Sequence, residues 1–92
     1  MQKQHVHLII SGLVQGVFFR AEAQKIAQTL NLGGWIRNVP SNEVEIYATG
    51  PRKELEKFVE WCHQGPAAAQ VKNVKTDWEK GLGDFQSFKI IG

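Results

Sequence analysis

"GGWIRNVPSNEVEI", Gly33 to Ile46, is the stretch whose reading decides the fold. "GWIRNV" is strand-like, and so is "EVEIYAT", which begins within the stretch at Glu43 and runs past its end. The "PSN" between them suits a tight hairpin. Val44, Ile46 and Ala48 fall on one face of the second strand, and Glu43, Glu45 and Tyr47 on the other. Asn42 can take the left-handed turn position that glycine usually supplies.

Upstream, Phe19, Ala23, Ile26, Ala27 and Leu30 follow helical spacing and give one apolar stripe from about residue 19 to 31. Gly33 and Gly34 are expected to end that helix. Before it, "HVHLIIS" alternates, with Val6, Leu8 and Ile10 on one face of a strand. Downstream, Pro51 suits the first turn of a helix. Leu55, Phe58, Val59 and Cys62 then recur at i, i+3, i+4 and i+7, and Gly65-Pro66 stops the pattern. "VKNVKTDWEK" is a further strand, with Val74, Thr76 and Trp78 on one face, and "FQSFKII" is a short last one. The order is β-α-β-β-α-β with a short fifth strand. It predicts an α+β, ferredoxin-like split βαβ sandwich, an antiparallel sheet with two helices on one face. The fifth strand is expected to shield one sheet edge. That fold serves enzymes, RNA binders and regulatory modules alike, so it does not decide function.

The 92 residues are expected to form a single domain, 1–92. No apolar run approaches the roughly 20 residues of a membrane span. The N-terminus lacks a signal-peptide pattern, so a cytoplasmic protein without membrane contact is expected. The formal charge of +2 is mild, and basic residues alternate with acidic ones as in "PRKELEKFVE". No basic patch argues for nucleic acid. Cys62 is the single cysteine, which excludes an intrachain disulfide and a cysteine-based metal site, and its place on a helix stripe predicts a buried thiol. His5, His7 and His63 make no metal set. Trp35, Trp61 and Trp78 read as packing residues, and Asp77 with Glu79 as surface carboxylates. With two polar helix faces, a monomer is expected.

One junction is chemically unusual. In "SGLVQGVFFRAEAQ", Ser11 to Gln24, a strand ends near Leu13 or Val14 and a helix starts near Phe18. The first N–H groups of a helix lack partners and, with the helix dipole, attract an anion. Gly16 lets the loop curl so that successive N–H groups face one point. Arg20, in the first turn, can aim its guanidinium at the same place, where its fork matches two phosphate oxygens. There is no Walker pattern, since no Lys-Ser/Thr follows. A plain connection with a surface arginine is the other reading. A cation in the first turn opposes the dipole, however, and makes better sense with an anion between the two. Asn38 is the second unusual residue. It shares a strand face with Ile36, where asparagine is unfavourable. Its side chain either caps the hairpin or serves as a neutral donor and acceptor that orients a water. Arg37 points to the opposite face and has no assigned role.

"GLVQGVFFR" (Gly12–Arg20), followed at its spacing by "GGWIRNVPSNEVEI", closely resembles the acylphosphatase family, and the likeness runs nearly the whole chain. The resemblance implies hydrolysis of the carboxyl–phosphate bond of acyl phosphates to a carboxylate and inorganic phosphate, with no metal, cofactor or covalent enzyme intermediate. By it, Gln15, Gly16, Val17, Phe18, Phe19 and Arg20 cradle the phosphate with backbone amides and the guanidinium. Asn38 positions the attacking water, and Arg20 and Asn38 are the catalytic pair. The partners implied are a small acyl phosphate and inorganic phosphate. The family hairpin often reads Asp-Gly where Ser41-Asn42 stands here. A non-catalytic ferredoxin-like module binding a small anion or RNA is the alternative, with Trp35 and Tyr47 as its only stacking residues on the second and third strands. No acyl pocket is evident, so broad tolerance of the acyl group is expected.

Overall fold

The computed structural model describes residues 3–79 and 85–92. Its elements are β1 (Gln4–Leu13), α1 (Phe19–Thr29), β2 (Gly33–Val39), β3 (Glu43–Gly50), α2 (Arg52–Gln64), β4 (Gln70–Glu79) and β5 (Phe88–Ile90). The element order is the expected one. Lys80, the last residue of the expected fourth strand, lies outside the described residues.

The strands form one sheet in the order β4-β1-β3-β2-β5. Register places Val6 opposite Ala48, Leu8 opposite Ile46 and Ile10 opposite Val44, so the alternating apolar residues of β1 and β3 share one face. Ile36 of β2 joins them opposite Ile46. Both helices cover that face, α1 over β2 and β5 and α2 over β1, β3 and β4. They bury Phe19, Ala23 and Ala27 from α1, and Leu55, Phe58 and Cys62 from α2. Truncating one of these fully buried large side chains to alanine is worth about 2–5 kcal/mol. Burial also pushes the Cys62 thiol well above its ordinary pKa, which keeps it protonated and unreactive.

Three details differ from the sequence-based expectation. The four long strands are antiparallel, but β5 runs parallel to β2, so the sheet is mixed. The reason is directional. Strand senses alternate across β4-β1-β3-β2, and a chain that reverses after β4 and lands on the far edge must run in the sense of β2. The β5 strand does cover that edge, as expected. Second, Gly33 and Gly34 do not end α1. Leu30 is its C-cap, and Asn31 takes the left-handed conformation at φ +57°. Gly33 and Gly34 lie in β2, where neighbouring backbone comes close: a Cβ would stand 1.8 Å from the Phe85 oxygen and 1.9 Å from the Tyr47 oxygen, respectively. Third, Pro51 is the N-cap of α2, one residue ahead of the first turn.

The open face of the sheet carries its own small cluster. Tyr47 is only 4% exposed. It stacks on Trp35 at 6.1 Å and meets His5 and Phe85 at 5.9 and 5.6 Å. Arg37 points to this face, as alternation requires, and pairs with Glu45 at 2.7 Å. On the other face, where register sets it beside Val6, Trp78 of the edge strand lies beneath Arg52 of α2 at 3.6 Å, a cation–π contact on its ring.

Candidate functional site

The hairpin between β2 and β3 turns through Pro40, Ser41 and Asn42. Ser41 and Asn42 both have left-handed backbone, at φ +72° and +61°, so the turn forms without glycine and uses two such residues, not one. It is tied down from outside. The Gln15 side-chain amide donates to the Val39 oxygen at 3.0 Å and to the Glu43 oxygen at 2.8 Å. Those bonds join the β1–α1 loop to the hairpin, and they place Asn38 beside the start of α1.

The loop itself curls. Gly16 and Phe18 are left-handed, at φ +74° and +64°, with Val17 at ordinary φ between them. Alternation of this kind turns successive N–H groups toward one side and forms an anion-binding concavity. A Cβ on Gly16 would meet nothing within 4 Å, so glycine is there for its backbone conformation, not for a close approach. Phe18 is the N-cap of α1, and no side chain caps the helix. The first-turn amides are therefore left to whatever enters the loop.

A cavity of about 330 Å³ opens here, lined by Val14, Gly16, Phe18, Phe19, Arg20, Ala21, Asn38 and Ile90. Five of the residues singled out from the sequence thus meet in one place: Gly16, Phe18, Phe19, Arg20 and Asn38. Gln15 and Val17 are not in the lining. The Gln15 side chain is spent on the hairpin, and that of Val17 packs on the core. Phe19 is 1% exposed and anchors the loop, its ring tilted against Trp61 at 5.4 Å.

Arg20 takes part in none of the ion pairs among the described residues. Its Nη1 donates to the main-chain oxygen of Gly92, and the Asn38 N–H donates to the same oxygen at 3.1 Å. That shared acceptor fixes the arginine beside the asparagine. The Asn38 side-chain Oδ1 is buried, yet no group among the described residues hydrogen-bonds it. A buried orphan acceptor costs about 1–3 kcal/mol. The capping role open to Asn38 is filled instead by Gln15, and Asn38 is among the residues that line the cavity. Among the described residues no three His, Cys, Asp or Glu side chains gather as a metal site would need. The groups on offer are backbone amides, one guanidinium and one carboxamide.

Sequence reasoning missed Val14, Ala21, Ile90 and the Gly92 oxygen. The last two arrive through the parallel pairing of β5 with β2, which places Ile90 beside Ile36 and lets Ile91 donate to the Ile36 oxygen at 2.9 Å. A three-residue edge strand carries no periodicity from which that pairing could be read.

The family model described as "Acylphosphatase" matches residues 6–90. An acylphosphatase of Pelotomaculum thermopropionicum is 46% identical over 90 residues, 98% of each chain. Among solved structures, an acylphosphatase from Coxiella burnetii superposes with a TM-score of 0.91 at 36% identity, over 97% of this chain and 93% of that one. One from Bacillus subtilis superposes with a TM-score of 0.93 at 32% identity, over 97% and 99%.

Proposed function

Since the chain belongs to the acylphosphatase family, we propose that it hydrolyses the carboxyl–phosphate bond of acyl phosphates at the cavity between the β1–α1 loop and Asn38. The observation that carries this reading is the orphan buried Oδ1 of Asn38, a residue that lines the same cavity as Arg20 and Gly16. A plain structural connection has no use for a buried acceptor left without a donor.

In this account the amides of Gln15 to Arg20 and the α1 dipole hold the phosphoryl oxygens, and the Arg20 fork takes two of them. The loop contributes main chain where Gln15 and Val17 are concerned. Asn38 Oδ1 accepts a hydrogen bond from a water and aims its oxygen at phosphorus. The water oxygen forms the new P–O bond as the bond to the acyl oxygen breaks, and the carboxylate leaves with that electron pair. The water's proton passes to a phosphoryl oxygen. A carboxylate leaves readily, so no strong general acid is needed. Positioning and fixed charge supply most of what phosphoryl transfer requires.

The alternative, an anion- or RNA-binding module, fits less well. Its stacking platform would need Tyr47 open to solvent, and Tyr47 is covered by His5, Trp35 and Phe85. The same account takes the protein as one domain acting as a cytoplasmic monomer. Among the described residues no helix is long and apolar enough to cross a membrane, and light scattering on the eluting protein checks the mass.

Hydrolysis of benzoyl phosphate in ¹⁸O-water tests the mechanism. Attack at phosphorus puts the label in inorganic phosphate and none in benzoate, with turnover unaffected by EDTA. Label in benzoate, or no turnover, contradicts it.

A further inference from the structure

The β5 strand is three residues long, yet both Arg20 and Asn38 bond to the main chain that follows it. Three backbone bonds tie this segment to β2. Gly34 N–H donates to the Ser87 oxygen at 3.0 Å, Ile91 N–H to the Ile36 oxygen at 2.9 Å and Asn38 N–H to the Gly92 oxygen at 3.1 Å. Since the Ser87 carbonyl faces β2, the next carbonyl along the strand, that of Phe88, faces away from the ladder. On a sheet edge such a group has no strand to pair with. Here Gln24 of α1 takes it: the half-buried side-chain amide donates to the Phe88 oxygen at 3.0 Å. Arg20 and Gln24 are four residues apart on α1 and lie on one face. That face grips the segment twice, Gln24 at the Phe88 oxygen and Arg20 at the Gly92 oxygen. Phe88 is also fixed by its ring, which is 1% exposed and meets Phe58 edge-on at 5.7 Å. Burial of Phe88 does not depend on Gln24. What the amide adds is the placement of the β5 main chain along α1.

We infer that Gln24 is a positioning residue for the hydrolysis, acting through β5 on Arg20. This rests on the hydrolase reading and deepens it. Arg20 commits Nη1 to the Gly92 oxygen, so the place of that oxygen decides where the rest of the planar fork points. Movement of β5 along α1 carries the oxygen with it and turns the fork. Gln24 opposes that movement from one helical turn away. Displacements of about 1 Å that start far from the chemistry cost as much as about 10²-fold in rate.

The test is a double-mutant cycle between Gln24→Met and Arg20→Lys. It is read by KM and kcat for benzoyl phosphate and by inhibition with inorganic phosphate. Methionine keeps the length of the side chain and lacks the donor. Alone, Gln24→Met is expected to raise KM and weaken phosphate inhibition by about tenfold, with kcat nearly unchanged. Its Tm should fall by about 4–8 °C, as for one lost hydrogen bond. Val74→Ala, in the core packing of β4 at the opposite sheet edge, should lower Tm as well and leave KM at the parental value. In Arg20→Lys, which has no fork to aim, Gln24→Met should add little to either effect. Parental KM in Gln24→Met, an equal rise in KM in Val74→Ala, or the full loss in both Arg20 backgrounds overturns the inference. So does a Gln24→Met chain that fails to fold, which would make the bond a structural one. All four leave the hydrolase reading standing. No turnover by the parent overturns both.

Discussion

Gln15 fastens the β1–α1 loop to the β2–β3 hairpin: its side-chain amide donates to the Glu43 oxygen at 2.8 Å, across the turn from Asn38. A second bond to the Val39 oxygen, from the same nitrogen, closes the brace. At about 1 kcal/mol per bond, Gln15→Ala is expected to lower stability by about 2 kcal/mol. It should also lower kcat, because the cradle and Asn38 lose their fixed separation. Gln15→Glu has the same shape but sets a carboxylate against two carbonyl oxygens. It should be at least as damaging as alanine, by denaturant unfolding and by turnover. Equal stability of Gln15→Glu and the parent contradicts the brace.

Gly16 has open space around its missing Cβ but a φ of +74°. Gly16→Ala is therefore expected to fold without a clash and to lose about 1 kcal/mol to backbone strain. For a domain of this size that is a fall in Tm of about 4–8 °C. Phosphate inhibition should weaken as well, since the strain acts on the loop proposed to hold the anion. Calorimetry and inhibition kinetics read the two effects separately.

Glu45 gives the fold an acid-sensitive tie on the face away from the cavity. Burial by itself would raise its pKa. Hydrogen bonds from His7 and Arg37, each at 2.7 Å, together with their charges, more than offset that and hold it below its ordinary value of 4.5. With a carboxylate as acceptor, the His7 Nε2 must carry the proton. A depressed folded pKa means the carboxylate stabilises the fold above the unfolded value, and that this stability is lost as pH falls through the folded one. Glu45→Gln should thus be less stable than the parent by about 1 kcal/mol at neutral pH, and the gap should close in the acid range below 4.5. A gap that persists there, in urea unfolding as a function of pH, contradicts the assignment.

Arg20 is expected to act as a fork, with one arm held by the Gly92 oxygen and the rest free for phosphate. Lysine offers a single point charge on a flexible stem. Arg20→Lys should therefore keep the fold and lose about 10²–10³ in kcat/KM, with weaker phosphate inhibition. Recovery of parental rates by lysine would show that charge alone suffices.

The main lines of the fold were legible because its strands and helices obey their own periods. Val6, Leu8 and Ile10 alternate, Leu55, Phe58 and Cys62 keep helical spacing, and both patterns end up on the single buried face. The unusual chemistry of Arg20 and Asn38 was legible too, because each breaks a local rule, a cation at a helix start and an asparagine in a strand. What lay beyond reach was pairing at a distance. Nothing local shows that β5 crosses to the far edge and brings Ile90 and Gly92 to the cavity. Nor does it show that Gln15, placed in the loop by sequence, turns its side chain to the hairpin. The turn at Ser41-Asn42 was half legible: asparagine announced a left-handed residue, while serine in that conformation did not.

Asn38 tests the account most directly, because function and stability should move apart. Its buried Oδ1 has no partner among the described residues and is proposed to orient the attacking water. Asn38→Ala removes both the orphan acceptor and the water's guide. The decisive measurement is kcat for benzoyl phosphate set beside Tm in Asn38→Ala and the parent. The account predicts a loss in kcat of about 10²–10³-fold with a Tm equal to or above the parent's. A variant that turns over at the parental rate would contradict it.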